Sequence, residues 1–149
     1  MSSQQFKEVI RLVGVDLNGH NLLCYELSKI KGIGPTLARV IPRIAGIPEN
    51  LRTGLLTDQQ VKKLETVIRN LDSYLPNFLL NRRKDRETGR NLHLTGSDLT
   101  LQIQKDIEFE KRIGTWRGLR HKLGLKVRGQ RTRTTGRKGR TVGVRRRKK

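Results

Sequence analysis

Apolar residues recur along this chain mostly at helical spacing. Leu23, Leu27 and Ile30 lie four and three residues apart, which puts them on one face of a helix. Gly32 and Gly34 then stop it. A second helix is predicted from Pro35, a residue suited to a first turn whose N–H would have no partner anyway. Leu37, Val40, Ile41, Ile44 and Ala45 supply its apolar stripe, while Pro42 inside the pattern predicts a kink or shortening before Gly46-Ile47-Pro48 ends it. Thr57 and Gln60 have the spacing of a capping box, followed by Val61, Leu64, Ile68 and Leu71 on one face of a third helix. A long helix is predicted from Ser97 to Ile113 with Leu99, Ile103 and Ile107 inward and Gly114 as its stop.

Other stretches do not follow that period. Val9 to Val15 is rich in branched residues and ends at the turn signal Asp16-Leu17-Asn18-Gly19, as a short strand or extended lead-in would. Around Tyr74-Leu75-Pro76 the helical pattern breaks, and about 78–95 reads as a small β-hairpin or excursion. TWRGLRHKLGL is a short amphipathic element in which Trp116, Leu119 and Leu123 are spaced to anchor against the body. From 128 onwards only Val142 and Val144 are hydrophobic, so burial cannot drive folding there.

Charge divides the chain more sharply than hydrophobicity does. The net charge is +20, from 33 Lys and Arg against 13 Asp and Glu in 149 residues. Residues 1–110 hold 16 basic and 13 acidic groups, whereas 111–149 hold 17 basic groups and no acid. So uneven an excess calls for a polyanionic partner of the C-terminal part. One core with an appendage is expected: 1–113, a helical body, and 114–149, a basic extension. No signal-peptide core or membrane span is legible, and the expectation is a soluble intracellular protein with no membrane partner.

Two stretches carry candidate chemistry. KIKGIGPTLARVI lacks the third glycine of a dinucleotide fingerprint and the spacing of a Walker loop. It resembles instead a helix-hairpin-helix turn, in which small residues and a helix N-terminus meet a nucleic-acid phosphate, with Lys29, Lys31 and Arg39 nearby. A plain tight connection between helices is the alternative reading of the same residues, and the nearby cations favour phosphate. RGQRTRTTGRKGRTVG combines arginine forks, which pair with phosphate oxygens, with glycine and threonine that keep the backbone close. Spaced arginines in that matrix suit an extended strand threaded between RNA backbones.

Enzymatic readings find little. His20, His93 and His121 are scattered, no metal-ligand cluster stands out, and Cys24, the one cysteine, reads as a small buried hydrophobe. No cofactor and no metal are expected. Trp116 is open to two readings, base stacking or core anchoring.

Taken together, KGIGPTLARVI at 31–41, IGTWRGLRHKLGLKVRGQRT at 113–132 and TTGRKGRTVGVRRRKK at 134–149 resemble the universal small-subunit ribosomal protein thirteen family. NRRKDRETGRNLHLTGSDL resembles the insertion of its archaeal and eukaryotic members, with the archaeal side favoured. The resemblance implies a mainly α fold: a helix-two-turn-helix body, a long helix and an extended basic tail, with the small hairpin as an insertion. It implies a non-enzymatic, cytoplasmic ribosomal protein of the small-subunit head that supports translation. The implied partners are small-subunit rRNA, ribosomal protein nineteen of the small subunit, ribosomal protein five of the large subunit across a bridge, and tRNA.

On this reading the rRNA contacts are Lys31, Gly32, Gly34, Thr36, Arg117, Gly118, Arg120, His121, Lys126, Arg128, Gly129, Arg131, Arg133, Arg137, Lys138 and Arg140. The tRNA-proximal residues are Arg145, Arg146, Arg147, Lys148 and Lys149. The rival binding function is a helix-hairpin-helix DNA-binding accessory protein, and a small RNA-processing enzyme is a third.

Overall fold

A computed structural model describes residues 6–135. The chain divides into two compact units after Gln102, so the described residues fall into 6–102 and 103–135.

The first unit opens with a two-stranded antiparallel hairpin, β1 (Val9–Leu12) and β2 (Val15–Asn18), registered Leu12 to Val15 and Val9 to Asn18. Its turn is Val13-Gly14, both at positive φ, the backbone hand that suits a two-residue hairpin. The expected turn at 16–19 is therefore displaced: Asp16 to Asn18 form the second strand, and Leu17 is buried with Ile10 and Leu12.

Helix α1 (Leu23–Leu27) is shorter than its apolar spacing suggests, and Ile30 reaches the core from the turn that follows. Helix α2 (Pro35–Ala45) starts at Pro35 and ends at Gly46 in the left-handed conformation, where the Ile47 N–H donates to the Pro42 carbonyl at 2.9 Å. Pro42 neither ends nor shortens it. Only the single N–H that would have donated to Ala38 is lost, and the proline ring is buried in the core.

Helix α3 (Asp58–Arg69) begins with the predicted reciprocal cap: Gln60 N–H donates to the Thr57 hydroxyl, and Thr57 N–H to the Gln60 side chain. A short α4 (Leu71–Tyr74) follows. The core lies where the hairpin, α1, α2 and α3 meet, built from Leu12, Leu17, Leu23, Leu27, Ile41, Leu64, Ile68 and Leu71.

Between 77 and 95 the chain doubles back on itself. Arg82 and Leu92 exchange both backbone bonds, at 3.1 and 2.8 Å, as one isolated antiparallel bridge. Asp85 closes the tip through Arg82 and through the N–H and hydroxyl of Thr88, and these partners depress its carboxyl pKa to about 2. Asn81 clamps Leu94, accepting from its N–H and donating to its carbonyl.

Helix α5 (Gly96–Ile113) spans the division. The expected inward stripe is not buried: Ile103 is 50% exposed, and Leu99 and Ile107 are only partly covered. In the second unit Gly114, at φ 77°, stops α5 as predicted, and α6 (Trp116–Lys122) follows. Trp116, Leu119 and Leu123 are exposed.

Candidate nucleic-acid interface

The glycine turn is built by successive tight turns: Ile30 N–H donates to the Leu27 carbonyl and Ile33 N–H to the Ile30 carbonyl, at 3.1 and 3.0 Å. Ile30 and Ile33 are buried, which fixes the turn and leaves Lys31, Gly34, Pro35 and Thr36 on the outside. Gly34 takes the N-cap position of α2 with no side-chain cap, and a Cβ there would meet nothing within 4 Å. The N–H groups of Thr36 and Leu37 have no acceptor within the helix. This is an open helix N-terminus with one lysine beside it.

Gly32 serves a different purpose from the one its motif suggests. Its φ is 95°, and a Cβ would lie 2.4 Å from the Leu94 carbonyl oxygen. The close approach is therefore to this chain's own backbone, and the Gly96 N–H donates to the Lys31 carbonyl at 2.8 Å to seal it. The smallness of Gly32 therefore supports neither nucleic-acid reading of the turn. Lys29 is also withdrawn from phosphate, because its ammonium lies 2.6 Å from the Glu26 carboxylate.

Glu26 was not legible as special. It is 0% exposed, and its oxygens accept from Asn18 N–H at 2.8 Å and from the Asn21 amide at 2.7 Å. Burial pushes its pKa up, but the bonds from Lys29, Asn21 and Asn18 outweigh that and leave it below the usual carboxylate range. Cys24, expected buried, is half-exposed at the surface of the same helix.

A groove of about 610 Å³ beside this region is lined by Glu65, Asp72 and Asp98 with Arg69 and His93. Its carboxylates would repel phosphate. Among the described residues no group of His, Cys, Asp or Glu is placed to hold a metal ion, and no helix is long and apolar enough to cross a membrane.

In the second unit the start of α6 fixes the basic residues. Thr115 caps it, accepting from Gly118 N–H at 3.0 Å and donating to the Glu110 carboxylate at 2.6 Å. Gly118 is buried with its Cα against the Glu110 carbonyl, 2.0 Å from where a Cβ would stand, so its smallness serves packing. Arg120 is half-buried: its Nε donates to the Lys126 carbonyl at 2.9 Å, and its own carbonyl accepts from Leu125 N–H. His121 is half-buried beside it. Arg117, Lys126, Arg128, Gly129, Arg131 and Arg133 are exposed.

The site residues expected in the tail, Arg137, Lys138, Arg140, Arg145, Arg146, Arg147, Lys148 and Lys149, lie outside the described residues. Sequence reasoning passed over Arg83, Lys84 and Arg90, which stand exposed on the loop closed by Asp85. Their signal was the run NRRKDRETGR.

The described residues thus combine a helix-rich body, an open helix N-terminus and an exposed basic segment, surfaces suited to a polyanion. Residues 11–138 match the family described as ribosomal protein S13/S18. A small ribosomal subunit protein uS13 from Saccharolobus solfataricus is 54% identical over 147 residues, covering 98% of this chain and 89% of its own length. Those from Hyperthermus butylicus and Aeropyrum pernix are each 51% identical, over 100% and 96% of this chain and 99% and 96% of their own lengths.

The chain belongs to the ribosomal protein S13/S18 family, in its archaeal branch. Its role is structural and non-enzymatic, within the ribosome.

Proposed function

We propose that the chain is a scaffold of the small-subunit head that binds small-subunit rRNA through two surfaces. One is the open turn at Lys31, Gly34 and Thr36, and the other runs from Arg117 through Lys126, Arg128, Gly129, Arg131 and Arg133 into Arg137, Lys138 and Arg140. Gly32, Gly118 and His121 position these surfaces, and Arg120 joins the second of them. The relatives' name, small ribosomal subunit protein uS13, supports the choice of subunit. The observation that carries the reading is the segment from 111 onwards, with 17 basic groups and no acid, in which Lys126, Arg128 and Arg131 are exposed.

In this arrangement the body fixes position beside ribosomal protein nineteen and meets ribosomal protein five of the large subunit. The last residues, Arg145 to Lys149, reach tRNA at the decoding region. Each phosphate contact releases counterions, so about eight contacts give a slope of roughly −6 to −7 for log affinity against log salt. Removing 128–149 should flatten that slope and weaken binding to salt-washed small subunits. An unchanged slope and affinity would refute the electrostatic role, and recovery of the native chain only in the free fraction after co-sedimentation would refute the assignment.

A further inference from the structure

Gly118 fixes which side of α6 faces inward. Its Cα lies against the Glu110 carbonyl, and in a helix the residues two positions before and after are rotated by about 200° from it. Trp116 and Arg120 therefore stand on the opposite side, and the indole is 71% exposed. The Arg120 guanidinium lies over the ring, 5.8 Å from its centroid. Because Arg120 Nε donates to the Lys126 carbonyl, that guanidinium is held in place by the segment that follows α6.

We infer that Trp116 is a stacking platform for one unpaired base of the ribosomal RNA, the guanidinium of Arg120 and the base forming successive layers on the indole. The inference deepens the rRNA reading above and rests on it. Aromatic and arginine planes take splayed-out bases in single-stranded or bulged RNA, because every base offers a π face. The cation over the ring adds its own attraction to the aromatic face. Leu119 and Leu123, 44% and 64% exposed, extend the apolar edge on which a ribose can rest.

Charge favours RNA over a protein partner here. Arg117, Arg120 and Lys122 are interleaved with Trp116, Leu119 and Leu123, and no acidic residue follows Glu110. An apolar protein surface would desolvate those cations without pairing them. A nucleotide brings its own phosphate to them.

Trp116 is the chain's one tryptophan, so its emission reports this site alone. The full chain is titrated with a transcript of the archaeal small-subunit rRNA head domain. Expected are quenched emission, a roughly 5- to 100-fold weaker affinity for W116A at matched salt, near-normal affinity for W116F and W116Y, and an unchanged salt slope. Circular dichroism of W116A should overlay the parent, since the ring is exposed.

Normal RNA binding with unchanged emission and full affinity of W116A would overturn the stacking while leaving the rRNA reading intact. Full affinity of W116L would assign the site to apolar packing and overturn it too. So would a blue shift without quenching on salt-washed small subunits, which would put the ring against a protein. Failure of the parent chain to bind rRNA would overturn both readings.

Discussion

His93 Nε2 lies 3.0 Å from the Gly32 carbonyl oxygen, tying the 77–95 excursion to the glycine turn. A carbonyl only accepts, so Nε2 carries the proton, and Nδ1 is left buried without a partner. Burial lowers the His93 pKa, and the bond to Gly32 and the charge of Asp72 oppose this without cancelling it. The fold therefore holds the neutral ring more tightly than the unfolded chain does. Stability is full above the ordinary value of 6.5 and declines as pH falls from there towards the depressed folded value. Urea midpoints from pH 8 to 5 should drop in the parent chain and stay flatter in His93→Gln, whose amide can still donate to Gly32.

Gly32→Ala attacks the same junction from the other side. The new Cβ would stand 2.4 Å from the Leu94 carbonyl, at a φ that L residues rarely adopt. Backbone strain of this kind costs about 1–3 kcal/mol, with the clash in addition. Hydrogen exchange of the Gly96 N–H, which donates to Lys31, should accelerate. Gly34→Ala, with open space and φ −92°, should change stability by less than about 1 kcal/mol. A loss of rRNA affinity in Gly34→Ala at normal stability would support a close phosphate contact at the turn.

Glu26→Ala removes one buried carboxylate and strands three donors, from Asn18, Asn21 and Lys29. A loss of about 1–3 kcal/mol is expected by urea unfolding, because the Asn18 N–H and the Asn21 amide lose a shared, fully buried acceptor, whereas the half-exposed Lys29 ammonium can turn to water. Its folded pKa is lowered, so its contribution is present above the ordinary carboxylate value of 4.5 and disappears as pH falls through the folded one. Glu26→Gln should flatten that acid limb, while His93→Gln should leave it in place.

These residues also mark what the sequence made legible. The Thr57–Gln60 box, Pro35 at the start of α2, and Gly46 and Gly114 as stops are local signals, each decided by a few neighbouring backbone groups, and the structure follows them. The N-terminal hairpin was hidden because its turn uses Val13, a β-branched residue at φ 48°, while a more conventional turn signal stands at 16–19. Glu26 and the Gly32–Leu94 approach depend on partners 8 and 62 positions away, which periodicity does not report. Helical spacing also pointed Ile103 inward, where it is half-exposed, since an apolar stripe shows that a face exists and not what covers it. The basic segment was read directly from composition, because solvent-exposed charge needs no tertiary contact to act.

The junction of α5 and α6 separates positioning from contact. Thr115 caps α6 and bonds Glu110, and Gly118 packs on the Glu110 carbonyl, so both hold the helix that carries Arg117 and Trp116. Thr115→Ala loses a cap worth about 1 kcal/mol, and α6 has only 7 residues over which to absorb it. Its amides should exchange faster in the free protein. Gly118→Ala forces a Cβ to 2.0 Å from backbone, so the helix must shift. Both variants keep every cation of the chain, and rRNA affinity should therefore fall while the salt slope stays unchanged. Arg128→Ala, which removes a charge and no packing, should do the reverse: a slope shallower by about 0.7 to 0.9 with amide exchange in α6 unaltered. Equal slopes in all three variants would mean that Arg128 contributes no phosphate contact.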